Sequence, residues 1–135
     1  MIGTGNIKNI QPKEVWLANF PFEEDPQTSK LRPVIVLSQT DDGITVADFN
    51  EDSYLSVKVT KHEIREEDKF DTIIVKWKEA SLHKKSVARV SKTKNLSSSE
   101  FIRKIGDADE CDFENILTKY VQYLESIELE CEKTQ

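Results

Sequence analysis

The chain has 135 residues, 37% hydrophobic and 33% charged, with a formal net charge of −6 and two cysteines. That length bounds the fold to one domain with a modest core, and the acidic total excludes a uniformly basic nucleic-acid-binding domain. No apolar run reaches the length of a membrane span. The first residues, MIGTGNIKNIQP, lack the charged-then-apolar pattern of a secretory signal, which points to the cytoplasm.

Residues 1–12 are polar, carry two glycines and show no period, and read as a flexible arm; 13–130 read as one domain. EVWLANF (14–20) is rich in strand formers on both faces, the pattern of a covered strand. PFEEDPQTSK follows as an irregular loop. PVIVLSQ (33–39) is a continuous β-branched run, with Pro33 expected at its first position because proline has no N–H for a ladder. TDDG predicts a turn and ITVADF (44–49) a third strand, in a hairpin with the second. YLSVKVT (54–60) alternates Leu55, Val57 and Val59 with Ser56 and Lys58, a strand with one wet face. TIIVKW (72–77) and SVARV (86–90) predict further strands. KEASLHKK suits a short helical turn, KTKNLSSSE a polar connection, and FIRKIG a short strand or a helix end.

Toward the C-terminus, Phe113, Ile116, Leu117, Tyr120, Leu124 and Ile127 recur at three- and four-residue spacing, the apolar face of a helix. Asp109 or Asp112 can cap its start. The closing acids Glu128, Glu130 and Glu132 oppose the helix dipole and predict fraying there. Cys111 and Cys131 are 20 residues apart on this helix, about 30 Å, too far for a disulfide between them. Short strands joined mostly by turns, plus one terminal helix, predict a mainly β fold, a small barrel or strongly curled sheet.

The charge is segregated. Between Leu82 and Ile105 there are seven cations and one acid; from Asp107 to Gln135 there are nine acids and two cations. Local field rather than net charge decides whether a phosphate is attracted, so the basic segment can track a nucleic-acid backbone or form a solvated face.

Three stretches in this order, EVWLANF with LRPVIVLS, then VKWKEASLHKKSVARVSKTKNLSSS, then FIRKIGDADECDFENILTKYVQYL, resemble the MazF/PemK toxins over roughly residues 13–125. The resemblance implies an SH3-like β-barrel (MazF/PemK/CcdB-like), usually a homodimer. It implies metal-independent, sequence-selective cleavage of single-stranded RNA with no cofactor. It also implies an antitoxin whose disordered acidic segment lies over the RNA groove. Arg32 matches the family's loop arginine, which acts on the scissile phosphate. Arg89 matches an arginine that some members use in catalysis together with an aspartate two residues on, where this chain has Ser91. Other members use a threonine or serine at the end of the third strand; with that strand read as ITVADF, Asn50 falls nearest, with Ser53 a few residues later.

The chemistry suits these residue types. A guanidinium holds two phosphate oxygens and stays charged, but its high pKa makes it a poor base. Arg32 and Arg89 therefore suit holding and stabilising, while proton transfer falls to water or to the nearby candidates Asp48, Glu51 and His62, with Asn50 as an orienting group only. Phe20 and Phe22 can stack an unpaired base, and Lys30, Lys92 and Lys94 can meet the backbone. Each has a plainer reading: Arg32 as a surface charge pairing Glu23, Glu24 or Asp25, Arg89 as a solvated or salt-bridged strand residue, and His62 and His83 as ordinary exposed histidines. The rival to cleavage is an inactive barrel of the same fold that binds nucleic acid or a protein, as related gyrase poisons do.

Overall fold

The computed structural model describes residues 9–22, 25, 27–40, 53–61, 64 and 68–133. Six strands form one antiparallel sheet: β1 (Glu14–Pro21), β2 (Ser29–Thr40), β3 (Ser53–Thr60), β4 (Asp71–Ile74), β5 (Ser86–Ser97) and β6 (Phe101–Asp107), in the order β4-β5-β3-β2-β1-β6. A single helix, α1 (Glu110–Lys133), follows. Among the described residues no helix is long and apolar enough to cross a membrane.

Both faces of the sheet are covered, which is why β1 and β2 read as continuous apolar runs. On one face Val15, Ile35, Leu37, Val57, Val59 and Val90 pack with Ile116 of α1, joined by Phe113, Leu117, Tyr120 and Tyr123. On the other, Trp16, Ala18, Phe20, Val34, Val36, Tyr54, Leu96 and Phe101 form a second cluster with Ile10. Each side chain of this kind contributes about 1.5–3 kcal/mol when fully buried. The sheet is strongly curled rather than a closed barrel. β6 and β3 are separated by β1 and β2, yet the Phe101 and Tyr54 rings meet edge-on at 5.5 Å, and Trp16 meets Phe101 at 5.8 Å.

The helix begins where its acids dictate. Asp109 accepts the N–H of Cys111 on its side chain (3.0 Å) and that of Phe113 on its carbonyl (2.9 Å), an N-cap. Asp112 is buried instead: its two carboxylate oxygens accept the N–H groups of Val75 (3.1 Å) and Lys76 (2.8 Å). That ties the turn after β4 to the first turn of α1. The chain then crosses through turns to Ser81, whose φ of 66° ends the Lys76–Ala80 turn in a left-handed residue. There it meets β6, where Gly106 lies so close to Ala80 that a Cβ would stand 2.6 Å from the Ala80 carbonyl oxygen.

Several expectations change. Ile10, expected in the arm, is 3% exposed and part of the core. β2 starts at Ser29, so Pro33 sits inside the strand, opposite Leu17 of β1. The ladder to β3 begins only at Val34↔Lys58; the proline, having no donor, marks where β3 leaves β2. Among the described residues the neighbours of β2 are β1 and β3; ITVADF and residues 41–43 of the expected turn lie outside them, and Thr40 closes β2. β4 is only four residues long. β5 runs through the stretch read as a polar connection, because Ser53–Ser56 of β3 offers it a partner as far as Ser97. Leu124 and Ile127 are exposed on α1, while Tyr123 packs inward.

Candidate nucleic-acid interface

Where β3 leaves β2, a cleft of about 750 Å³ opens. One wall is the first half of β2, with Lys30, Leu31, Arg32 and Pro33; the opposite wall is the end of β3, with Val59, Thr60 and Lys61. The connection before β5 supplies Ser81, Leu82, His83 and Lys84, and β1 and β6 supply Leu17, Arg103 and Ile105. Among the described residues the lining thus holds five cations, Lys30, Arg32, Lys61, Lys84 and Arg103, and no carboxylate, over an apolar floor. In a chain of net charge −6 this is a concentrated positive field.

Arg32 is half-buried at the lip, opposite Ala18 of β1. Thr60, the last residue of β3, lines the same cleft as Arg32. The third described strand therefore ends on a threonine that shares the cleft with the arginine. Asn50, expected in that place, lies outside the described residues, as do Asp48, Glu51, His62, Glu23 and Glu24. The sequence signal for Thr60 is the run YLSVKVT closing on threonine before a charged loop, whereas ITVADF lies outside the described residues.

The other expected site residues are placed elsewhere. Arg89 is 7% exposed, and its Nη1 donates to the Asp71 carboxylate, the residue opposite it in the β4–β5 ladder. It does not line the cleft, because that buried carboxylate engages its fork. Ser91, two residues on, donates its hydroxyl to Asp68. Phe20 is 2% exposed in the core cluster around Trp16 and Phe101, closed to a base. Phe22 is half-buried at the loop, its N–H held by the Thr28 carbonyl at 3.0 Å, and is not part of the lining. Lys92 and Lys94 are half-buried on β5, also outside the lining, with Lys94 opposite Ser56. Of the basic segment, only Lys84 and Arg103 join Lys30 and Arg32 in the cleft.

Next to the cleft, β1 and β6 are fastened by charge. Lys104 reaches Glu14 at 3.1 Å and Asp107 at 3.3 Å. Burial pushes the Glu14 carboxyl up, but hydrogen bonds from Trp16 Nε1 (2.9 Å), the Gln11 N–H (2.9 Å) and Lys104 outweigh it and hold the group below 4.5. The same contact with Glu14 raises Lys104 above its ordinary value.

Comparison with known proteins agrees with this architecture. The fold is similar to a structure described as an endoribonuclease in complex with its cognate antitoxin from a mycobacterial species: TM-score 0.63, 10% identity, covering 87% of this chain and 96% of that one. It is also similar to the Mycobacterium tuberculosis toxin MazF-mt6: TM-score 0.55, 15% identity, covering 83% of this chain and 96% of the other. No curated protein matches the sequence. The family model for the PemK-like, MazF-like toxin of type II toxin-antitoxin systems matches residues 11–124. With that match spanning β1 to the middle of α1, the chain belongs to the PemK/MazF toxin family.

Proposed function

We propose that this protein is a toxin that cuts single-stranded RNA by attack of the 2′-hydroxyl on the neighbouring phosphate, with no metal. The observation that carries the reading is that Arg32 and Thr60 share one cleft whose described lining holds five cations and no carboxylate. Cleavage of this kind needs charge stabilised on phosphorus, and a guanidinium aimed at non-bridging oxygens supplies that. The Thr60 hydroxyl can donate to the same phosphate or orient the sugar. The surrounding lysines meet neighbouring phosphates, and the floor of Leu17, Leu31, Pro33 and Val59 offers apolar surface to an unpaired base. The described lining offers a cation one histidine and no carboxylate, so the phosphate charge is met by the protein's own cations. An acidic antitoxin segment is the natural occluding partner for such a cleft, and a homodimer is the expected assembly.

A second reading, binding without cutting, draws on Arg89 and Ser91, which are engaged by Asp71 and Asp68. Incubating the pure protein with a long single-stranded RNA in excess chelator and mapping new ends separates the two. New 2′,3′-cyclic phosphate and 5′-hydroxyl ends that disappear with Arg32→Ala support cleavage. RNA that is bound but left intact supports the second reading.

A further inference from the structure

Neither Arg32 nor Thr60 has a side chain that exchanges a proton readily near neutral pH. His83 is the one side chain in the described lining whose type does. It is exposed, yet the backbone on either side is fixed. Leu82 is buried in the core with its N–H on the Trp77 carbonyl at 3.0 Å, and the buried Ser86 hydroxyl donates to the Lys84 carbonyl at 2.8 Å. The imidazole therefore hangs from an anchored segment into the cleft rather than from a loose loop. The charged groups of the cleft around it are Lys30 and Arg32 of β2, Lys61 after β3, Lys84 beside it and Arg103 of β6.

We propose that His83 is the general base of the cleavage step, an assignment that rests on the RNA-cutting reading above. A neutral ring nitrogen takes the proton from the 2′-hydroxyl. The 2′-oxygen bonds to phosphorus, and the bond from phosphorus to the 5′-oxygen breaks. Water gives that oxygen a proton, and the imidazolium returns its proton to the hydroxide left behind. The products are a 2′,3′-cyclic phosphate and a 5′-hydroxyl, with no net change in protons.

The test is single-turnover cleavage of a single-stranded RNA oligonucleotide from pH 5 to 8.5, with binding measured in parallel, for wild type, His83→Ala and His83→Gln. The wild-type rate is expected to rise tenfold per pH unit through an acid limb and then level off. Both variants are expected to bind RNA nearly as wild type, to cut about 10²-fold or more slowly, and to lose the acid limb. Added imidazole restores part of the rate of His83→Ala. Variants that cut at the wild-type rate overturn the assignment, as does a slowed variant that keeps the limb and ignores imidazole; both leave RNA cutting standing. Wild-type protein that binds the RNA and cuts it at no pH overturns the cutting reading and this assignment together.

Discussion

Arg89 of β5 and Asp71 of β4 face each other in the ladder and close an ion pair inside the protein. Both side chains are nearly sealed from water, at 8% and 0% exposure, so the pair is a structural element of the sheet's far end. Removing one partner leaves a buried charge without its counterpart. Arg89→Ala is therefore expected to lower stability by about 3–5 kcal/mol, whereas replacing both residues with well-packed apolar ones recovers most of that loss. Urea unfolding of the single variant and of Asp71→Leu with Arg89→Met checks this. An Arg89→Ala protein as stable as wild type but unable to cut RNA would return Arg89 to the site.

The cleft cations make a second prediction. Lys61→Ala, Lys84→Ala and Arg103→Ala are each expected to weaken RNA binding and to reduce the slope of log affinity against log salt by about 0.7. Lys92→Ala, outside the cleft lining, is expected to leave that slope unchanged. Binding titrations across a salt series read both effects.

Glu14 gives a pH signature. Its folded pKa lies below the ordinary 4.5, so its stabilising contribution is complete above that value and is lost as pH falls through the folded pKa. Glu14→Gln is expected to be less stable than wild type at pH 7, and the gap should close below pH 4.5 as the wild-type carboxylate protonates. Denaturant midpoints from pH 7 to 3 follow the convergence; a gap that stays constant in acid would contradict it.

Gly106 couples the fold to the cleft. A methyl group there would sit 2.6 Å from the Ala80 carbonyl oxygen and 2.9 Å from Ser81 Oγ, so the crossing segment must move. Gly106→Ala is expected to cost about 1–3 kcal/mol, as overpacking does. Because Ser81, Leu82 and His83 line the cleft just beyond, it should also reduce RNA cutting by more than the loss of folded protein explains. Activity per folded molecule, measured at a temperature where the variant is fully native, tests the coupling.

Sequence reasoning reached the architecture because each signal was local. The apolar runs of β1 and β2, the alternation of β3 and the three-and-four spacing of α1 are readable a few residues at a time. Arg32 stands out by its adjacency to a proline and a buried run and by the family resemblance, and it lines the cleft with Lys30. Thr60, Lys61, His83 and Arg103 come together only through the curl of the sheet and the crossing at Gly106, which no window of neighbouring residues contains. Arg89 was drawn toward the site by its motif, and its partner Asp71 lies 18 positions away. Phe20 borders a loop, which makes it look available; the ring that closes over its cluster, Phe101, comes from the adjoining edge strand β6, distant in sequence.

Pro33 shows how a site can be kept open by what a residue withholds. A sheet left to itself adds ladder bonds until it runs out of strand, and β2 has four more residues, Ser29–Arg32, that β3 does not match in the register. Proline there acts as a stop on a zipper: restoring an N–H with Pro33→Val would favour closing the seam over the floor on which a nucleotide would rest. Such a variant is expected to gain thermal resistance and, on the proposed RNA-cutting reading, to lose cleavage, so the pyrrolidine ring marks a point where stability is forgone to keep the cleft open.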